Sequence, residues 1–207
     1  LVGDNVVNRS ENMPWYQGET LMELLENIEV SADANVDDVR FPVQYVNRPN
    51  LDFRGFCGTV ASGVVKLGDQ IKAMPSGKTS TVKEIVCHGG NLDQAFVGQA
   101  VTLTTDDEID ISRGDLLVLA DDEVISTNHM QAHLVWMSET ALSSSKEYLF
   151  KFASNSTTGK IPVVAHRIDV NTQEHQKQQT LALNDIGMVE VELSQAVVVD
   201  PYQQNRA

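Results

Sequence analysis

The stretch from Phe41 to Pro75, FPVQYVNRPNLDFRGFCGTVASGVVKLGDQIKAMP, constrains the fold more than any other part of the sequence. Gly55, Gly58, Gly63 and Gly68 fall at the ends of short apolar runs, where a chain that reverses direction needs positive backbone angles or the close approach of neighbouring strands. Strands this short and this evenly spaced leave no room for crossover helices, which excludes βαβ units and predicts a small closed β-barrel. The chain has no G-x-x-x-x-G-K-[ST] loop and no upstream βα unit to carry one, so it is not expected to cradle a nucleotide's phosphates.

The punctuation continues along the chain. Strands are predicted near 40–47, 54–61, 69–74, 80–87, 100–105 and 115–119, each bounded by Gly, Pro, Ser or Asp. Val101 and Leu103 alternate with Thr102 and Thr104, as a strand with one wet face requires. These strands make a first barrel over 38–120. An acidic stretch, Ala120 to Asn128, separates it from a second all-β block over 129–207, with strands near 130–137, 146–153, 160–169, 187–193 and 196–200. The alternation is cleanest there in Val189, Val191 and Leu193 against Glu190 and Glu192. The last strand of this block reads as cut off, which would leave an unpaired edge along Tyr148–Phe152 or Val197–Asp200 and favour some self-association.

Ahead of the strands, PWYQGETLMELLENIE carries Leu21, Leu24, Leu25 and Ile28 on one helical face, with Thr20 and Glu23 forming a capping box. So short a helix is marginal alone, and its apolar face must dock on something. The polar run Ser31 to Asp38 reads as a linker. The predicted class is therefore all-β, two consecutive small barrels preceded by one amphipathic helix, with 1–32 a separate remnant. At 207 residues the chain has room for two domains of this size. It begins at Leu1 rather than Met and stops at Ala207 in mid-pattern, so it is expected to be a piece of a longer cytoplasmic protein, and it has no run of about eighteen apolar residues.

Net charge excludes one class of partner. With 29 acidic against 15 basic residues the chain carries −14, whereas affinity for a phosphate backbone comes from Lys and Arg displacing counterions. Non-specific nucleic-acid binding is not expected. Cys57 and Cys87 have no C-x-x-C spacing and read as free thiols.

The form GTVxSGxVxxGD, followed by Ser112-Arg113-Gly114-Asp115, resembles the second domain of translation-factor GTPases of the elongation factor Tu class. The opening GDNVVNRSENMPWYQGETLMELLENIE resembles the end of a GTP-binding domain in the elongation factor 1α branch. Three further segments narrow the resemblance: FPVQYVNRPNLDFRGFCGTVASG, DEIDISRGDLL and LNDIGMVEVELSQAVVVDPYQQN. Together they are similar to the GTPase subunits of bacterial sulfate adenylyltransferase. The resemblance implies a parent protein that binds GTP and Mg²⁺ in a domain absent here. It also implies a separate catalytic subunit as partner, which transfers the adenylyl group of ATP to sulfate and releases pyrophosphate, with GTP hydrolysis driving that uphill step. The barrels would act as levers sensing the switch loops of the GTPase domain, and no catalytic, cofactor-binding or metal residue is assigned to them. Two rival readings are a translation elongation factor fragment that delivers aminoacyl-tRNA and a pure interaction module. The first is opposed by the scarcity of clustered basic residues.

Three arginines are candidates for partner or interdomain contacts. Arg48 and Arg54 flank the loop Pro49–Phe53, long enough to carry function. Arg113, in the SRGD turn beside many carboxylates, is expected to close the barrel through an ion pair, with an interface contact as the alternative. Other constellations read as structural. His129 and His133 have the spacing of a metal pair but no third ligand nearby. Asp106, Asp107, Glu108 and Asp110, and likewise Asp121, Asp122 and Glu123, lack the ligand spacing of a calcium loop. Trp15 and Tyr16 are expected to pack on the absent domain, and Trp136 to fill a core or interdomain space.

Overall fold

In a computed structural model, residues 3–28, 35–50 and 52–205 are described. The chain divides into two compact units, Leu1–Ala34 and Asn35–Ala207. Of the linker expected over 31–38, only 35–38 lies among the described residues.

The first unit holds α1 (Leu21–Asn27). Its capping box forms as the sequence predicts: Thr20 Oγ1 accepts from the Glu23 amide at 3.3 Å, and the Glu23 carboxylate accepts from the Thr20 amide at 2.8 Å. Those backbone and side-chain hydrogen bonds hold the Glu23 carboxyl below its ordinary range. The segment before it is tied to the helix start, with the amides of Leu21 and Met22 donating to the carbonyls of Asn5 and Val6. None of the helix is buried, and Leu21, Leu24, Leu25 and Ile28 all lie exposed.

In the second unit β1 (Phe41–Asn47), β2 (Gly55–Thr59), β4 (Gln70–Met74), β5 (Lys78–Cys87), β8 (Ala100–Thr105) and β9 (Leu116–Leu119) are the strands the sequence predicts. All pair antiparallel in the order β4-β9-β1-β2-β8-β5, and β5 also pairs with β4, so the pairings return to their start. Three strands were not legible: β3 (Val64–Lys66), β6 (Gly90–Leu92) and β7 (Gln94–Phe96). At three residues each they are too short to show an alternation. The inward positions of β4, Ile71 and Ala73, alternate with wetter ones. In β5 the inward set moves from Ser80 and Val82 to Ile85 across a register shift between Val82 and Glu84, so a bulge keeps both halves facing the core. Phe41, Val43, Phe56, Leu103, Ile111 and Leu117 complete that core.

The glycines serve two purposes there. Gly63 and Gly68 adopt φ of +77° and +83°. Gly55 and Gly58 are needed for close approach instead, since a Cβ on Gly58 would lie 2.5 Å from the Pro42 carbonyl oxygen.

A second sheet follows, built from β10 (Ile125–Val135), β11 (Tyr148–Phe152), β12 (Asn155–Ile168), β13 (His175–Gln176) and β14 (Ile186–Val199). Its order is β10-β14-β12-β11, with β13 on β12, and among the described residues these pairings do not return to their start. Val189, Val191 and Leu193 face the core and Glu190 and Glu192 the solvent, as their alternation predicts. One expectation is corrected. The two strands read at 187–193 and 196–200 are a single strand, whose ladder with β10 skips from Glu192 to Val197 while its backbone stays extended. Pro162, which has no amide to donate, sits in a register shift of β12 against β14 between Lys160 and Val163. Trp136 packs edge-on against Tyr148, centroids 5.6 Å apart, and its indole donates to the Thr140 carbonyl at 2.8 Å. Among the described residues β11 pairs only with β12, which leaves a free edge along Tyr148–Phe152. Val197–Val199 instead pairs with β10.

Candidate functional site

The two β-blocks of the second unit meet at Arg40, one residue ahead of β1. Its backbone is fixed by Ser62, whose carbonyl accepts from the Arg40 amide at 3.0 Å, while the Ala61 amide donates to the Arg40 carbonyl at 2.8 Å. The flanking Val39 and Phe41 are fully buried and draw the arginine inward. With its side chain only 7% exposed, the guanidinium must be paired, and it is paired across the blocks. Nε and Nη2 donate to the two carboxylate oxygens of Asp200 at 2.8 and 2.9 Å, and Nη1 donates to Asp122 and to the Val39 carbonyl. Burial alone would pull this guanidinium down, but the hydrogen bonds and charges of Asp200 and Asp122 outweigh it, so Arg40 is held above its ordinary value.

Further bonds surround this clasp. Asn205 donates to Asp200 at 2.9 Å and to the Ser62 hydroxyl at 3.1 Å, and that hydroxyl donates to the Asp38 carbonyl at 2.6 Å. Asn35 donates to the Gln204 carbonyl at 3.2 Å. The acidic connector is pinned as well, because the Lys72 ammonium donates to the carbonyls of Ala120 and Asp122 at 3.2 and 2.9 Å. Asp122, which the sequence places in a solvated run, is thus half of a buried ion pair. Beside the clasp lies a cleft of about 280 Å³, bounded mainly by Pro42, Leu116, Phe152, Val197 and Val199.

This arrangement holds two bodies together rather than activating a nucleophile. Every charged group of the clasp is engaged by another, and among the described residues no cluster of three or more His, Cys, Asp or Glu could hold a metal. His129 and His133 share a face of β10, where His129 lies 3.6 Å from Glu192. Arg40 carried no motif that would single it out. Its one mark in the sequence was a charge set between two apolar residues at a strand entry.

The three candidate arginines are gathered on the first block, around the 48–54 and 106–113 loops. Arg48 lies 3.7 Å from Glu108, and Arg54 3.9 Å from Asp110. Arg54 also donates to the Ile111 carbonyl at 3.3 Å and covers the Phe56 ring, its guanidinium carbon 5.5 Å from the centroid. The ion pair expected for Arg113 does not form among the described residues. Arg113 is exposed, and its neighbour Asp115 accepts from the Ser112 amide instead, closing the turn without the arginine. Trp15 and Tyr16 lie exposed in the first unit, edge to face, with centroids 6.1 Å apart.

Comparison with known proteins agrees with this architecture. Residues 129–207 match the family model of GTP-eEF1A C-terminal domain-like proteins. A crystal structure of sup35 complexed with GDP superposes on 98% of this chain and 51% of its own with a TM-score of 0.75; at 18% identity this establishes the fold alone. Sulfate adenylyltransferase subunit 1 of Teredinibacter turnerae is 64% identical over all 207 residues, and that of Cellvibrio japonicus 63%. The chain spans 44% of the length of each of these two relatives. From end to end, then, the chain is similar to part of sulfate adenylyltransferase subunit 1, and its residues 129–207 fit the GTP-eEF1A C-terminal domain-like family model.

Proposed function

We propose that these β-blocks are the non-catalytic transmission of a GTP-dependent sulfate adenylyltransferase. In this reading the whole protein binds GTP and Mg²⁺ in a domain outside this chain and works in the cytoplasm beside a separate catalytic subunit. That partner transfers the adenylyl group of ATP to sulfate, giving adenosine 5′-phosphosulfate and pyrophosphate. The product's mixed anhydride lies uphill of ATP, so GTP hydrolysis must be coupled to its formation, and coupling needs a body that passes on the state of the GTPase domain. The observation that carries the reading is the buried Arg40 clasp in a chain 64% identical to part of the sulfate adenylyltransferase subunit 1 of Teredinibacter turnerae. A bidentate pair with Asp200 and a second bond to Asp122 let the two blocks move as one lever.

Finer assignments belong to the same proposal. Residues 1–32 form the end of the GTP-binding domain, whose remainder would cover the bare apolar face of α1. Residues 38–120 form a closed barrel, supported by pairings that return from β5 to β4. Residues 129–207 form a second barrel lacking its last strand, supported by the free edges of β10 and β11. Arg48, Arg54 and Arg113 lie on a loop face suited to meet the GTP-binding domain or the catalytic subunit. Delivery of aminoacyl-tRNA is opposed by the charge of −14.

The test is pyrophosphate release from ATP by the full-length protein with its companion subunit, with and without sulfate and GTP. Release that requires sulfate and rises with GTP is expected. Release indifferent to sulfate, together with protection of aminoacyl-tRNA by the GTP-loaded protein, would replace this reading with the elongation-factor one.

A further inference from the structure

Four of the chain's five histidines, His129, His133, His166 and His175, lie on the second sheet. Two of them are in direct contact. The rings of His166 and His175 stack with centroids 3.9 Å apart and planes 16° from parallel. His166 Nε2 is buried and has no hydrogen-bond partner. An imidazole tolerates that state when neutral, but an imidazolium adds a charged N–H donor that needs an acceptor or water.

The segment joined by this contact is otherwise lightly held. β13 pairs with β12 only through Arg167 with Gln176 and Ile168 with His175. Its turn is closed internally, by the Asp169 amide to the Glu174 carbonyl and by Asp169 accepting from the amides of Asn171 and Thr172. Those bonds fix the turn's shape without fixing it to the sheet. Beyond the hairpin the chain is secured again where Thr180 donates to the Leu142 carbonyl and the Leu142 amide donates to the Leu181 carbonyl.

We propose that the stacked His166–His175 pair is a pH-operated latch, which holds the 169–176 hairpin on β12 while both rings are neutral and releases it when they take up protons. The surrounding charges favour release. On β10, His133 stands opposite Met188, the same β14 residue that stands opposite His166, so the neighbour on that side becomes another cation in acid. On β12 itself Arg167 is already a cation, bonded to Asp185 at 2.6 Å and to Gln176 at 2.8 Å. Lys177 follows β13 directly. The nearby carboxylates are largely committed: Asp185 to Arg167 and the Ala182 amide, Asp169 to its own turn. Glu174 lies in the turn, and Glu190 stands opposite Val163 rather than His166. Burial, then His175, then His133 hold His166 below the usual histidine value. A base depressed in the folded state stabilises it above the ordinary histidine range and loses that contribution as pH falls through the range.

Amide hydrogen exchange on the whole chain, corrected for the intrinsic pH dependence, tests the latch. Between about pH 7.5 and pH 5.5, protection at 168–176 should fall roughly tenfold while Val189–Val191 keep theirs. Replacing both rings, His166→Phe together with His175→Phe, keeps a stack without a titrating group, and protection at 168–176 should then be independent of pH over that range. Imidazole NMR titration of the unsubstituted protein supplies a readout that does not depend on the variant folding: His166 should titrate below the ordinary histidine range. Protection indifferent to pH, an equal acid loss in the doubly substituted protein, or titration of His166 in the ordinary histidine range would each overturn the proposal.

Discussion

In the first β-block the pairings come back to their starting strand, and Phe41, Ile71, Ile85, Leu103 and Leu117 are all at 0% exposure. In the second, among the described residues, the path from β10 to β11 ends in two free edges, and only Leu181 and Val189 of its core reach 0%. The blocks have comparable strand content but differ in where their hydrogen bonds stop. A ring of strands satisfies its own amides and carbonyls and can squeeze water from its centre. An open sheet leaves a row of unpaired groups on each edge and keeps its apolar face partly wet. The second block should therefore depend on what lies beside it. The Arg40 clasp is one such dependence, because it anchors Asp200 just past the end of β14 to the entry of β1.

The difference can be broken most severely from within the first block. Phe56→Ala should cost about 3–5 kcal/mol by leaving a cavity in a core where Phe56 is 1% exposed. Chemical denaturation followed by Trp136 fluorescence and by labelling of Cys57 and Cys87 would show the first block unfolding ahead of the second. The seam comes next. Arg40→Ala leaves two carboxylates facing each other, and since Asp122 and Asp200 stay 17% and 21% exposed, the cost should lie near the lower end of the buried-pair range, about 3 kcal/mol. Calorimetry should then split a joint transition into two, the second block melting first.

A smaller effect belongs to the first unit. Thr20→Ala removes the cap of α1 and should cost about 1 kcal/mol of helix stability. The Glu23 carboxyl is depressed by the backbone and side-chain bonds from Thr20, so its contribution is present above the ordinary glutamate range and fades as pH falls through it. Circular dichroism should therefore show a helical signal lost towards acid in the parent and already weakened in the variant. The smallest change sharpens the account of the edges. Leu149, 75% exposed on β11, can become Lys with stability shifting by no more than about 0.5 kcal/mol, while any self-association by sedimentation should decrease.

Much of the first block was legible because its strands are long enough to alternate and are punctuated by glycines that the backbone requires. The alternation of Val189, Val191 and Leu193 carried the central strand of the second sheet, and the Thr20–Glu23 spacing carried the helix cap. The three-residue strands gave no periodicity to read. The unbroken course of β14 was hidden by Ser194 and Gln195, polar residues that lie where its ladder with β10 lapses. At the seam, Arg40, Asp122 and Asp200 are far apart in sequence and belong to no motif. Only the fold brings them within hydrogen-bonding distance, and a charge run such as Asp121-Asp122-Glu123 reads as solvated until a buried cation is placed against it. Arg113 erred in the opposite direction, because nearness to carboxylates in sequence yields no ion pair for it among the described residues.

The claim that the clasped blocks act as one lever is tested most directly by Arg40→Lys in the full-length protein bound to its companion subunit. Lysine keeps the charge but cannot make the bidentate contact with Asp200. With folding checked by calorimetry, the account predicts that GTP hydrolysis persists while GTP-stimulated, sulfate-dependent pyrophosphate release falls at least about tenfold, equivalent to about 1.4 kcal/mol of lost coupling. A well-folded variant in which both rates match the parent protein would contradict it.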